Sequence, residues 1–216
     1  MRASVLKNEI AKTTKQTTRV SSSAFLQSLD TLETYKERFE ACQTRGMKVL
    51  GEGSARTVFS FGVNSVIKLA VSEVGAEQNK AEASGCGDEL GSSILAQVQR
   101  TGRDYQWIVM EKLQPLHSDK QFEQLTGIGM QQLRETLTFW YAESIQRARH
   151  RLFKPDEYEK TLKLPLAKSL MALIKQCNLL PGDLAKYSSW GAAKDGSLKL
   201  LDFGLTQQIF MKHYYK

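Results

Sequence analysis

At 216 residues with 41% hydrophobic content, the chain is long enough to bury a core as one compact unit or as two small lobes. A charged fraction of 25% argues against general disorder, and a formal net charge of +7 favours anionic partners: nucleotides, acidic protein surfaces or nucleic acid. The sequence has no run of about twenty apolar residues and no apolar N-terminal segment, so neither a membrane span nor a signal peptide is expected.

The elements follow in chain order. Residues 1–23, rich in Lys, Arg, Ser and Thr, read as a flexible basic arm. Phe25, Leu26, Leu29, Leu32, Tyr35 and Phe39 recur at helical spacing and predict one amphipathic helix within 24–46. From 47 to 113 the texture is β-prone, with short runs at 47–50, 57–61 and 65–70 joined by glycine-bearing turns such as Gly62-Val63-Asn64. A helix-like stretch around 76–84 ends in Gly85-Cys86-Gly87, and short segments follow at 92–98 and 106–110. From 114 to 216 the chain turns helical, with apolar residues three and four apart over 121–125, 130–149 and 158–177, and Pro155 and Pro181 as punctuation. Short strands at 191–193 and 198–201 then surround the turn Lys194-Asp195-Gly196-Ser197. This order predicts an α+β fold without internal repeats. Cys42, Cys86 and Cys177 are widely spaced and odd in number, so they predict neither a disulfide framework nor a zinc site, and a reducing, cytoplasmic setting is expected.

Six short stretches carry chemistry. In Gly51-Glu52-Gly53-Ser54 a glycine turn between strands lets backbone N–H groups approach phosphate oxygens; a lone Gly-x-Gly is weak on its own. Lys68 lies inside the apolar run 65–70, where a buried ammonium needs an anionic partner. Glu77 and Glu82 on the following helix are the two candidates for that partner, and the later position favours Glu82. Residues 106–113 read as a buried strand emerging into a polar connector, which offers backbone groups to an adenine edge. Asp183, in a loop after a long helix, and Asp202, in Leu201-Asp202-Phe203-Gly204, flank the hairpin. Two such carboxylates suit phosphoryl transfer, one holding Mg²⁺ against a triphosphate and the other accepting the proton of the attacking hydroxyl.

The ordered series Gly51-x-Gly53 with Val58, Val66-Ile67-Lys68, Met110-Glu111, Asp183-Leu184-x-Lys186 and Asp202-Phe203-Gly204 resembles the protein-kinase signature set over residues 47–206. In its economy the chain is similar to the minimal kinases of bacteriophages and bacterial effectors. The resemblance implies a bilobal fold, with a small antiparallel β-sheet N-lobe and hinge over 47–113 and a reduced, mainly helical C-lobe over 114–216. It implies ATP and Mg²⁺ as cofactors, Lys68 on the α- and β-phosphates, and Gly51, Gly53, Ser54 and Val58 around the nucleotide. It also implies Met110 as gatekeeper, hinge backbone from Glu111 and Leu113, Asp183 as base with Lys186 steadying the phosphate, and Asp202 on the metal. The expected activity is a serine/threonine protein kinase, with a protein substrate or host partner, in the host cytoplasm if phage or effector encoded.

The departures bear on activity. Arg56 stands where the third glycine of the phosphate loop belongs, with its side chain over the phosphates or in solvent. Pro181-Gly182 replaces His-Arg before the catalytic aspartate. Ser188 or Ser189 stands where the family has a metal-binding Asn. After Gly204 no room is left for an activation segment or an Ala-Pro-Glu motif, so the helices at 24–42 and 130–150 or a partner protein would supply the buttress. Failing that, the pocket is kept only for binding, as in a nucleotide-regulated pseudokinase. Two further readings are a small-molecule phosphotransferase and a nucleic-acid binder using Arg147, Arg149, Arg151 and Lys154. No zinc-finger or aromatic-basic RNA signature supports the latter.

Overall fold

Residues 21–85, 93–145 and 154–215 are described by a computed structural model. The basic arm up to residue 20, Cys86, Arg147, Arg149 and Arg151 lie outside the described residues. Lys154 is described; it pairs with Glu159 and lies over the Tyr158 ring.

Ser21, assigned from sequence to the arm, instead caps helix α1 (Ser22–Thr31), its hydroxyl accepting from the Ala24 amide at 3.2 Å. The single helix expected over 24–46 is two. Leu32 is extended, and Thr34 forms a capping box with Glu37 that restarts the chain as α2 (Tyr35–Thr44). Then come β1 (Val49–Glu52), β2 (Arg56–Phe61), β3 (Ser65–Ala70), helix α3 (Glu73–Ser84), β4 (Val98–Thr101) and β5 (Trp107–Glu111). These strands make an antiparallel sheet in the order β1-β2-β3-β5-β4.

The pleat of this sheet separates two jobs. Residues directly opposite each other on paired strands share a face, and the register puts Phe59, Ile67 and Val109 in one row and Val58, Lys68 and Ile108 in the next. The first row, with Leu69 and Trp107, packs against Phe25, Leu26, Leu29 and Cys42 of α1 and α2. Polar contacts bolt the same layer: Asp30 accepts from the Trp107 indole at 2.9 Å and the Arg103 amide at 2.8 Å, and Arg38 donates to Gln106 at 2.8 Å. The second row faces the other way, toward α3 and the helices that follow, with Val66, Ile108 and Met110 in the larger core.

That core is built on α4 (Asp119–Thr126), α5 (Met130–Ser144), α6 (Tyr158–Leu162) and α7 (Pro165–Cys177). Leu133, Leu137, Leu170, Leu173 and Phe122 are fully buried there. The helix expected over 158–177 is broken because Pro165, at the first turn of α7, has no N–H to continue α6. A three-stranded antiparallel sheet of β6 (Gln114–Pro115), β7 (Trp190–Ala192) and β8 (Leu198–Leu200) closes the region, joined by the short helix α8 (Pro181–Leu184) and by α9 (Gln207–His213). Neither β6 nor α9 was expected from sequence; α9 starts where the Thr206 hydroxyl accepts from the Ile209 amide. Leu200 ties the two sheets together, its carbonyl accepting from the Ala96 amide at 2.8 Å.

No helix among the described residues is long and apolar enough to cross a membrane. Cys42 is buried and free, and burial pushes its thiol up to about 12. Cys177 is half-buried and disulfide-bonded, which corrects the expectation that the cysteines form no disulfide.

The first turn of α3 lies against the carbonyl of Ala55, and a Cβ on Gly75 would fall 2.0 Å from that oxygen. Gly75→Ala is therefore expected to lower stability by about 1–3 kcal/mol in urea unfolding, despite the better helix propensity of alanine. Gly53→Ala meets only an ordinary 3.7 Å contact and should cost clearly less.

Candidate functional site

β3 is paired on both edges, so Lys68 cannot turn to water and is buried at 4% exposure. Its ammonium donates to both carboxylate oxygens of Glu82 on α3, at 2.9 and 2.8 Å, and to the carbonyl of Leu201 at 2.7 Å. Burial pulls the Lys68 pKa down, and Glu82 opposes the shift. Of the two acids singled out in sequence, Glu82 is the one that meets Lys68. Glu77 lies on the outer part of α3, where Lys212 and His213 of α9 hold it at 2.5 and 2.9 Å. Lys212 also pairs with Glu73, so Glu73, Glu77, Lys212 and His213 form one polar network between α3 and α9.

Arg56 completes the charged group. Its side chain goes neither over a phosphate loop nor to solvent. Only 9% exposed, it runs inward, where Nη1 meets Glu82 Oε1 at 2.9 Å and Nη2 pairs with Asp202 Oδ1. The Glu82 side chain has no exposure and also accepts from the Phe203 amide at 3.3 Å. Asp202 follows Leu201 directly, and its side chain is 55% exposed. Partial enclosure works to raise its pKa, but Arg56 and Lys68 hold the carboxylate below its usual range. Past Asp202 the chain presses on α3, and a Cβ on Gly204 would fall 2.6 Å from the Gln78 carbonyl.

Asp183 sits on α8, with Lys186 paired to it. The loop is held from behind: Arg134 forks onto the Ala185 carbonyl at 3.2 and 2.8 Å, and the Trp190 indole donates to the Leu184 carbonyl at 2.8 Å. Ser188 and Ser189 separate here. The buried Ser189 donates its hydroxyl to the Asp183 carbonyl at 2.8 Å, and its own backbone carbonyl accepts the Leu201 amide at 2.9 Å, tying the Asp183 loop to the strand before Asp202. Ser188 is exposed.

A cavity of about 810 Å³ brings most of the predicted residues together. Gly51, Gly53, Ser54, Val58 and Lys68 line it from β1 to β3, Met110, Glu111 and Leu113 from the end of β5 and the residues after it, and Asp183, Lys186, Ser188, Ser189 and Asp202 from α8 and the segments that follow. Glu82 stands behind Lys68, outside this lining. The Glu111 amide is taken by the Gln97 carbonyl at 2.8 Å and its carboxylate by Lys199 at 2.9 Å. Leu113 packs on Gly191, where any Cβ would fall 2.7 Å from its own. Sequence reasoning named Arg56 but misplaced its side chain, and it missed the Leu201 carbonyl and Tyr214, which also lines the cavity. For Arg56 a signal was present: it is two residues from Val58 on one strand and so shares the face of Lys68.

The assembled site sets a glycine turn, a buried lysine and two carboxylates around one cleft, a set able to bind a polyphosphate and move a proton. No family model matches the chain, and no curated protein matches it.

Removing the Glu82 charge leaves two buried cations facing each other. Glu82→Gln is expected to cost about 3–5 kcal/mol in equilibrium unfolding. Glu77→Gln, on the surface, should cost under about 1 kcal/mol in the same measurement.

Proposed function

We propose that the chain is a minimal, bilobal protein-kinase-like phosphotransferase that uses ATP and Mg²⁺ on serine or threonine hydroxyls of a protein. The observation that carries this reading is Lys68, held by Glu82 and the Leu201 carbonyl next to Asp202, on the wall of a cleft that Asp183 faces from the other side.

In this reading the adenine edge lies against Met110, with polar contacts from the Glu111 carbonyl and the Leu113 backbone, since the Glu111 amide is already bonded. Gly51, Gly53 and Ser54 cover the phosphates, and Lys68 reaches their oxygens because Glu82 and Leu201 fix its direction. Asp183 accepts the proton of the incoming hydroxyl, and Lys186 beside it offers a cation to the transferred group. The residues fit one divalent ion better than two. Asp202 gives a half-exposed carboxylate, Ser188 only a hydroxyl, and the Ser189 hydroxyl is turned to the Asp183 carbonyl. Mg²⁺ takes one or two carboxylates plus phosphates, so Asp202 suffices to hold it, and when bound it neutralises charge on the triphosphate.

One observation favours a second reading, a catalytically weak, nucleotide-regulated binding module for a host protein: Arg56 engages the same Asp202. Labelled ATP with Mg²⁺, incubated with lysate as the acceptor source, separates the two. An active kinase transfers phosphate, and Asp183→Ala lowers the rate by about 10²–10⁴-fold, while Lys68→Ala weakens ATP binding in a thermal-shift titration. Transfer that survives both substitutions sinks the kinase reading. ATP binding without transfer supports the binding module.

A further inference from the structure

Arg56 is anchored by strand geometry. It opens β2 opposite Ala70, and its carbonyl accepts the Gly53 amide at 2.9 Å. Its guanidinium spans two carboxylates from different parts of the chain, Glu82 on α3 and Asp202 after β8. The two ends of that span differ. Glu82 has no exposure and keeps Lys68 as a second cation, whereas Asp202 is 55% exposed toward the cleft. Lys68, Arg56, Glu82 and Asp202 together sum to zero charge, so a free metal ion meets no net negative field at Asp202. Without Arg56 the same group carries one net negative charge beside a hard oxygen donor of the kind divalent ions prefer.

We propose that Arg56 and a divalent cation compete for the Asp202 carboxylate, so that Arg56 is a tethered cation that sets how tightly the cleft takes metal. The inference rests on the nucleotide-cleft reading above and adds a determinant to it. Arg56 keeps its contact with buried Glu82 and exchanges only the Asp202 end. Metal therefore enters at a disadvantage by itself, and a nucleotide that carries metal offers its own phosphates to the released guanidinium.

The test uses the full chain and Mn²⁺ alone, with free metal followed by its paramagnetic resonance signal. Arg56→Gln is expected to bind Mn²⁺ roughly 10–100-fold more tightly than the unaltered chain, the scale on which groups around a ligand tune metal affinity. Adding Asp202→Asn to that variant should remove the gain. Arg56→Lys keeps a cation but loses the fork that spans both carboxylates, so it should shift affinity in the same direction; it guards against a misfolded Arg56→Gln. Equal Mn²⁺ affinity in the unaltered chain and both Arg56 variants overturns the proposal, as does a gain that persists with Asn at position 202. A parallel ATP titration keeps the two ideas apart. Absence of ATP binding in every variant overturns the nucleotide reading, whereas the Mn²⁺ comparison speaks to Arg56 alone.

Discussion

Glu82 is a carboxylate with no exposure to water, facing two cations, and much of the described architecture can be traced to satisfying it. A charge so placed is tolerable only if its partners arrive in fixed positions. Lys68 comes from the centre of β3, Arg56 from the start of β2, and the Phe203 amide from the segment after β8. Two strands of one hairpin and a segment near the end of the chain thus converge on one side chain of α3. The helix must lie close to the sheet for this, which is why Gly75 sits against the Ala55 carbonyl and Gly204 against Gln78. Asn79, fully buried, seals the same helix to the chain before β5 through the Tyr105 carbonyl at 2.9 Å.

Much of this was legible beforehand. Strand β3 was read with its observed limits, because Ser65 to Ala70 is an unbroken β-prone run between turns. Lys68 drew notice for a physical reason, a charge inside an apolar strand, and the same reasoning asked for an acid on the next helix. The misses have physical causes too. The break between α1 and α2 turns on a capping box at Thr34 and Glu37, which leaves the apolar periodicity running straight through it. The break at Pro165 was masked by periodic leucines on both sides. Arg56 was judged by the glycine it stands in for, whereas its strand parity with Val58 pointed to the Lys68 face. The division of labour between Ser188 and Ser189 depends on which hydroxyl finds a carbonyl, and adjacent identical residues carry no trace of that.

The two halves of the cleft are held by different means. On the sheet side, ion pairs in a dry setting fix the side chains. On the side of Asp183, backbone carbonyls are fixed instead, by Arg134, by the Trp190 indole and by the Ser189 hydroxyl. The carboxylate of Asp183 is thereby positioned without being consumed, with only Lys186 on it among the described residues. For the proposed phosphoryl transfer, that separation between a rigid frame and a reachable head group suits Asp183 to accept a proton, because such a group must be placed yet remain able to bond a substrate.

Helices α1 and α2 do not line the cleft, yet they govern it through parity. A strand that slips by one residue turns every side chain to the opposite face. Were β3 to slip, Lys68 would enter the apolar layer of Phe25, Leu29 and Phe59, and Ile67 or Leu69 would replace it beside Glu82. The apolar packing of α1 and α2 on Ile67 and Leu69 therefore fixes the parity on which the cleft depends, because any register that exposes that row forfeits its burial.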